Sequence, residues 1–274
     1  MTPRGSDKSV RAGTIMDVTR QLHVHRYGPD GPPHVLAIHG LTGHGRRWEH
    51  LATRHLPEVT VLAPDLLGHG RSSWAAPWTI DENAAALGGL LSEPVVVVGH
   101  SFGGAIALHL AATRPDVVAG LVLLDPAVGL DGEWMREIAD AMFASPDYPD
   151  RAEARAEKRN GSWADVDDAQ LDSELDEHLL TLPNGRLGWR ISVPATMSYW
   201  SELARPASLP DKPIPTVLVR ATRTSPPYVT DQLVAGLRQR LGAAFELVDM
   251  DCDHMVSQAK PAKTAAVIRR VLEN

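Results

Sequence analysis

Cysteine is almost absent from this chain of 274 residues, whose single cysteine is Cys252. One cysteine excludes an intramolecular disulfide framework and gives no support to secretion. Basic charge is also scarce, since 27 Lys and Arg residues stand against 34 Asp and Glu residues, for a formal net charge of -7. The chain therefore lacks the electropositive footprint of a nucleic-acid-binding protein, and no nucleic-acid partner is expected.

Long apolar runs are missing as well. The first twenty residues intersperse charges where a signal peptide would need an apolar segment, and no later stretch reaches the length of a membrane span. We therefore expect a soluble, cytoplasmic protein in which residues 1–15 form a mobile polar tail. The hydrophobic content of 43% is enough for one large domain or a domain with an insertion.

What the sequence does contain is a strand-turn-helix segment that begins at Val95 and ends at Leu108. Its four consecutive valines predict a central strand that is covered on both faces. The residues from Phe102 onward are small or helix-forming and predict a helix. Between strand and helix lies Gly99-His100-Ser101-Phe102-Gly103, a G-x-S-x-G pattern. A serine at so tight a turn has a strained backbone and an exposed hydroxyl, which predicts Ser101 as a nucleophile.

Strands and helices alternate along most of the chain, which predicts a parallel α/β sheet with helices on both faces. The pattern over 18–27 indicates an exposed edge pair ahead of this sheet. Between 127 and 209 no strand-like run occurs, charges are dense, and residues 151–159 read as a helix face of alternating charge. We interpret 127–209 as a helical insertion and residues 16–126 and 210–274 as the core.

Three landmarks, in this order, resemble the α/β-hydrolase fold family: His39-Gly40, the pattern around Ser101, and Asp253-His254. The resemblance covers about residues 18–274. It implies a mostly parallel eight-stranded sheet, a helical cap after the sixth strand, and a Ser-acid-His triad in that chain order. It also implies an oxyanion hole formed by the backbone amides of Leu41 and Phe102.

The catalytic base can be sought among the histidines that follow Ser101, because a serine hydroxyl needs a neighbouring imidazole to take its proton. His109 lies along the helix that leaves the turn, and His178 lies in the acidic insertion. His254 follows the last predicted strand in a loop, where the family carries its base. The sequence therefore favours His254.

The position of the triad acid differs from the commoner arrangement in the family, in which Asp or Glu follows the seventh strand. No carboxylate lies between Asp211 and Asp231 in that part of this chain. Some members carry the acid after the sixth strand instead, and Asp125 matches that position. We expect Asp125 to orient His254, with the role of an Asp-Pro turn residue as the alternative.

These residues predict a serine hydrolase that cleaves a carboxylic ester or a related small apolar acyl substrate through an acyl-serine intermediate. Trp134, Trp189 and Trp200 of the insertion are the expected substrate-binding residues. The same triad suits a lactonase, a thioesterase or a hydrolase of carbon-carbon bonds, and a hydrolase-like receptor for a small ligand is a further alternative.

No cofactor or metal is expected. The chain has no Walker pattern and no helix with paired histidine ligands, and its two Gly-His-Gly triplets read as turns. The oligomeric state is left open.

Overall fold

The computed structural model describes residues 20–273, which form one seven-stranded sheet, a two-stranded hairpin and surrounding helices. The strands are β1 (Val24–Tyr27), β2 (Val35–Ile38), β3 (Val61–Pro64), β4 (Val95–His100), β5 (Val118–Leu124), β6 (Leu179–Thr181), β7 (Leu187–Trp189), β8 (Thr216–Ala221) and β9 (Phe245–Met250). The sheet order is β1-β3-β2-β4-β5-β8-β9; β1 is antiparallel to β3, and all other neighbours are parallel. The predicted α/β class is confirmed.

Helices cover both faces of this sheet. They are α1 (Glu49–His55), α2 (Ile80–Gly88), α3 (Phe102–Thr113), α4 (Gly132–Ala144), α5 (Arg151–Asn160), α6 (Asp168–His178), α7 (Val193–Leu203), α8 (Asp231–Leu241), α9 (Val256–Ala259) and α10 (Pro261–Leu272). In β4, Val95 and Val97 join the apolar core formed with α2, α3 and α8, whereas Val96 and Val98 join the core formed with α1 and α10. Burial on both faces explains the unbroken run of valines.

The described part of the sheet has seven strands, where the resemblance implied eight, and the edge pair expected over 18–27 is a single strand, β1. Gly28 follows β1 with a φ of 85°, and a Cβ there would lie 2.1 Å from the carbonyl oxygen of Val59. The chain therefore turns away at Gly28, and β1 pairs with β3. The predicted tail, 1–15, and residues 16–19 of the predicted core lie outside the described residues.

The segment between β5 and β8 contains α4 to α7 together with the β6-β7 hairpin. The expectation that no strand occurs in 127–209 is therefore wrong for the hairpin. Each of its strands has three residues, and the chain reverses through Gly185, whose φ is 81°. Three residues are too few to produce a recognisable alternation of apolar and polar side chains.

Close packing of β2, β4 and α3 leaves no room for a side chain at two glycines. A Cβ on Gly99 would lie 2.4 Å from the carbonyl oxygen of Gly103, and a Cβ on Gly103 would lie 2.4 Å from the carbonyl oxygen of Ile38. Both obstacles are backbone atoms, so a larger residue would force a strand or the helix to move. The turn between these glycines is therefore fixed by the packing around it.

Replacing Gly103 with alanine tests this constraint. We expect Gly103→Ala to lower the free energy of unfolding by about 1–3 kcal/mol, because the added methyl group overlaps the Ile38 carbonyl. Gly132→Ala is the matched control, since no atom lies within 4 Å of a Cβ at Gly132. Urea unfolding measures both variants, and equal stability of Gly103→Ala and wild type would contradict the packing argument.

Candidate active site

Ser101 occupies the turn between β4 and α3 with φ 53° and ψ -121°. Such a backbone conformation costs on the order of 1–3 kcal/mol in a residue other than glycine and persists only where its surroundings enforce it. Here the Ser101 amide donates to the carbonyl of Leu124 (3.0 Å), and the Gly104 amide donates to the carbonyl of Ser101 (2.8 Å). Ser101 is 8% exposed and lines a cavity of about 460 Å³.

His254 lies in the loop after β9 and contacts Asp125, which follows β5. The distance from His254 Nδ1 to Asp125 Oδ2 is 2.6 Å. Because a carboxylate can only accept, this pattern assigns the proton to Nδ1 and leaves Nε2 as the acceptor. His254 also lines the cavity that contains Ser101. The structure thus brings together the serine, histidine and aspartate that the sequence selected.

Backbone and side-chain hydrogen bonds fix both members of this pair. The Ala221 amide donates to the second oxygen of Asp125 (3.0 Å), and Asp125 is 1% exposed. The carbonyl of His254 lies 2.8 Å from His100 Nε2, and its amide donates to Asp253 Oδ1 at 2.7 Å. Thr224, in the loop after β8 where the commoner acid would stand, has its hydroxyl 3.5 Å from Asp125 Oδ2.

The amides of Leu41 and Phe102 are available to a ligand. Among residues 20–273 neither amide donates a hydrogen bond, and Phe102 is the first residue of α3. The loop that carries Leu41 lies against the turn, since a Cβ on Gly40 would lie 3.0 Å from the Ser101 Cβ. Two free amides at a helix N-terminus and an adjacent loop suit an oxyanion.

His39 holds the Leu41 loop in place. The Leu66 amide donates to His39 Nε2 (2.9 Å), so the ring proton is on Nδ1, which lies 2.8 Å from the Gly40 carbonyl oxygen. Burial and the neighbouring His69 lower the pKa of His39 well below 6.5, so that the ring is neutral. His39 therefore braces the loop.

Aromatic and apolar side chains from the inserted segment line the cavity. They are Ile138, Ala141 and Met142 of α4, Trp163, Trp189, and Trp200 and Leu203 of α7. Two of the three tryptophans expected to bind substrate, Trp189 and Trp200, therefore lie at the cavity. Trp134 is not among the lining residues: its ring stacks on Tyr228 at 5.4 Å, and Tyr228 lines the cavity.

A buried cluster of charges beside the cavity was missed by the sequence reasoning. Lys158 lies in the helix face that was predicted from its alternating charges, yet its side chain is only 8% exposed. Its Nζ lies 3.0 Å from Glu174 Oε1, and Arg47 donates to both oxygens of the same carboxylate. The only sequence signal is the dense charge around Lys158, which does not distinguish a buried side from an exposed one.

A second group of polar side chains lies apart from the residues that line the cavity. Donor atoms of His23, His25 and Asp65 are all within 4.8 Å of one another. Asp65 already accepts the amides of Gly45 (2.7 Å) and Arg71 (2.8 Å). Its established contacts are therefore those of a carboxylate that joins two loops.

The architecture defines a class of enzyme. A mostly parallel sheet that presents a serine on a strained strand-to-helix turn, with an aspartate-bound histidine after the last strand, is typical of hydrolases with a nucleophile elbow. Within residues 20–273 no helix is both long and apolar enough to cross a membrane.

Comparisons with known proteins agree with this class. The model of the alpha/beta hydrolase family matches residues 35–267. Over 252 residues the chain is 68% identical to a protein named lipase LipV from Mycobacterium tuberculosis. The alignment covers 90% of this chain and 96% of that relative. The chain belongs to the alpha/beta hydrolase family and is a hydrolase.

Solved structures with low sequence identity share the fold. An E-2-(acetamidomethylene)succinate hydrolase superposes with a TM-score of 0.78 at 22% identity, over 94% of this chain and 97% of that one. A marine microorganism esterase superposes with a TM-score of 0.72 at 23% identity, over 92% of this chain and 98% of that one. At these identities the likeness concerns the fold alone.

Asp125→Asn tests the acid. The asparagine keeps the shape but removes the charge and favours the wrong tautomer of His254, so we expect kcat on a reactive ester to fall roughly 10³ to 10⁴-fold. Asp251→Asn is the matched control, because Asp251 lies in the loop of His254 with its side chain 87% exposed. Steady-state kinetics measure both, and a larger loss in the control than in Asp125→Asn would contradict the assignment.

Proposed function

We propose that this hydrolase cleaves a carboxylic ester of a small acyl compound through an acyl-serine intermediate. The Ser101 hydroxyl attacks the ester carbonyl while His254 Nε2 takes its proton, and Asp125 stabilises the resulting imidazolium. The amides of Leu41 and Phe102 bind the oxyanion of the tetrahedral intermediate. Its collapse breaks the bond to the alcohol, which leaves with the proton from His254.

The second half of the reaction uses the same groups. A water molecule gives a proton to His254 Nε2 and attacks the acyl carbonyl, and a second oxyanion forms at the same two amides. Collapse releases the carboxylic acid and returns the proton to Ser101. The two halves together consume one ester and one water and release one alcohol and one carboxylic acid.

The observation that carries the proposal is the 2.6 Å contact between Asp125 and His254, because His254 lines the same cavity as Ser101. An aspartate held by the Ala221 amide orients the imidazole of His254 and leaves Nε2 as the proton acceptor. The relative named a lipase, at 68% identity, supports an ester as the substrate.

We further propose that residues 127–209 act as a cap over Ser101. The cavity of about 460 Å³ is lined by Ser101 and His254 of the core and by residues of α4 and α7 together with Trp189 from the 127–209 segment. This volume is within the range typical of small-molecule sites, roughly 300–1,000 Å³. A small acyl compound fits such a space.

The location and partners follow from composition. We propose a cytoplasmic enzyme that acts on small molecules and has no nucleic-acid partner, since its net charge is -7 and its one cysteine is buried and free.

Ser101→Ala tests the nucleophile. We expect turnover of reactive esters to fall by roughly 10⁴-fold or more with an unchanged melting temperature, because the hydroxyl supports no core contact. A fluorophosphonate should label the wild type and leave this variant unlabelled. Wild-type protein that neither reacts with the fluorophosphonate nor turns over esters, thioesters or lactones would contradict the proposal and favour a receptor.

Trp200→Ala tests the cap. Trp200 lines the cavity, so its loss should change the order of preference among acyl chain lengths. Trp134→Ala is the matched control, because Trp134 is a half-buried tryptophan of the same segment that does not line the cavity. The measurement is kcat/KM over a series of acyl esters, and the same preference order in wild type and both variants would contradict a role for Trp200 in substrate binding.

A further inference from the structure

The cavity that contains Ser101 has a charged wall as well as an apolar one. Arg47 and Lys158 both line it, and behind them lies Glu174. The exposed fractions of the three side chains are 5%, 8% and 1%. Two cations with little exposed surface therefore share one carboxylate, and one positive charge is left without a buried partner.

The carboxylate of Glu174 is fully used by its neighbours. It accepts from Arg47 Nε (3.0 Å) and Nη2 (2.5 Å) and lies 3.0 Å from Lys158 Nζ and 2.9 Å from His44 Nε2. Burial opposes its charge, but Arg47 and Lys158 hold the pKa of Glu174 well below 4.5, so it stays ionised. It has no capacity to balance a second cation.

Donors remain free on both cations. An ammonium group has three N–H donors, and Lys158 uses one of them on Glu174. Arg47 Nη1 donates to no group of the described residues. Arg47 and Lys158 therefore each keep an N–H donor that makes no hydrogen bond to the described residues, and both side chains line the cavity.

Two tryptophan rings pack against the ammonium group of Lys158. Lys158 Nζ lies 4.9 Å from the centre of the Trp163 ring and 4.1 Å from that of Trp189. Such contacts stabilise a cation through the ring face. Glu157 also lines the cavity, but it is exposed and its carboxylate accepts the Tyr148 hydroxyl at 2.6 Å.

We propose that Arg47 and Lys158 form a subsite for a carboxylate carried by the substrate, so that the preferred ester bears a negative charge besides the bond that is cleaved. The inference rests on the proposed function, since it assigns a substrate class to the same cavity. The tryptophans alone predict an apolar substrate. The subsite restricts this class to substrates that combine an apolar chain with an anionic group.

The electrostatics of Lys158 agree with this assignment. Burial, with the charge of Arg47, lowers the pKa of Lys158 from 10.5 to about 8, although Glu174 opposes the shift. A bound carboxylate would offset that cost and favour the charged ammonium.

The test compares substrates that differ only in charge. Nitrophenyl hemiesters of dicarboxylic acids, from succinic to suberic, are compared with the corresponding monoamide esters. A second series carries the charge on the alcohol side, as acetyl esters of hydroxy acids against those of hydroxy amides. In one of the two series we expect kcat/KM to be at least about tenfold higher for the anionic ester than for its neutral amide. A difference of this size is typical of a hydrogen bond to a charged group. Lys158→Met should reduce the preference below about threefold.

Two control variants separate binding from structure. Lys158→Arg should keep most of the preference because the charge stays. Lys212→Met removes an exposed lysine that does not line the cavity and should leave the preference unchanged. Equal kcat/KM for anion and amide in both series, or a preference that Lys158→Met leaves intact, would overturn the subsite.

The pH dependence of this preference in the wild-type enzyme tests the same subsite without a variant. The charged and titratable groups around Lys158 are Glu174 and His178 of α6, Arg47, His44, and Glu157 of its own helix. Glu174 stays ionised and His178, whose pKa burial holds well below 6.5, stays neutral above about pH 7. Lys158 is charged below its pKa of about 8. The ratio of kcat/KM for the anionic ester to kcat/KM for its amide should therefore fall as the pH rises through that value. A constant ratio would contradict the proposal.

Binding to Ser101→Ala distinguishes failure of this inference from failure of the proposed function. Calorimetric titration with an anionic ester and its amide measures the preference without turnover. Tighter binding of the anion supports the subsite even if no ester is hydrolysed by the wild type. Equal binding overturns the subsite and leaves the esterase proposal standing where the wild type hydrolyses neutral esters.

Discussion

The turn at Ser101 is the constraint on which the rest of the site depends. A serine with φ 53° persists only because β2, β4 and α3 pack so closely that glycine is required at residues 99 and 103. The same packing makes Phe102 the first residue of α3 and brings the Leu41 loop against the turn. Ser101 and the amides of Leu41 and Phe102 are thus positioned by backbone contacts, as the proposed nucleophile and oxyanion donors require.

A second set of contacts joins the inserted segment to the core through charge. Glu174 of α6 binds Arg47 of the core, and Glu177, one turn further along, binds Arg46 and Arg71. Buried ion pairs contribute little net stability because desolvation offsets their attraction, but they specify one arrangement of the groups they join. Arg47 and Lys158, which share Glu174, both line the cavity that contains Ser101, so the same ion pairs connect the inserted segment to that cavity.

Much of this could be predicted from local sequence, for reasons that are physical. The valines of β4 and the glycines around Ser101 describe a buried strand and a tight turn without any distant information. The pairing of Asp125 with His254 is implied by the resemblance to the α/β-hydrolase family, which carries its acid after either of two strands, and the loop after β8 offers no carboxylate. Both depend on strand ends, which a parallel sheet brings to one edge.

The features that escaped prediction depend on tertiary contacts. Lys158 stands in a run of alternating charges that suits a solvated helix face, and only the packing of α5 against α6 buries it. Trp134 and Trp200 are both tryptophans of the inserted segment and look alike in the sequence. In the structure Trp134 stacks on Tyr228, whereas Trp200 lines the cavity. A three-residue strand such as β6 carries no periodicity at all.

If Ser101 is the nucleophile, hydrolysis proceeds through a covalent ester of Ser101 that rapid-quench mass spectrometry can detect during turnover of a slowly deacylated ester. We expect a mass increase equal to the acyl group, confined to the peptide that contains Ser101 and lost at the rate of product formation. Turnover with no acylated protein, or with the acyl group on another residue, would rule out Ser101 as the nucleophile.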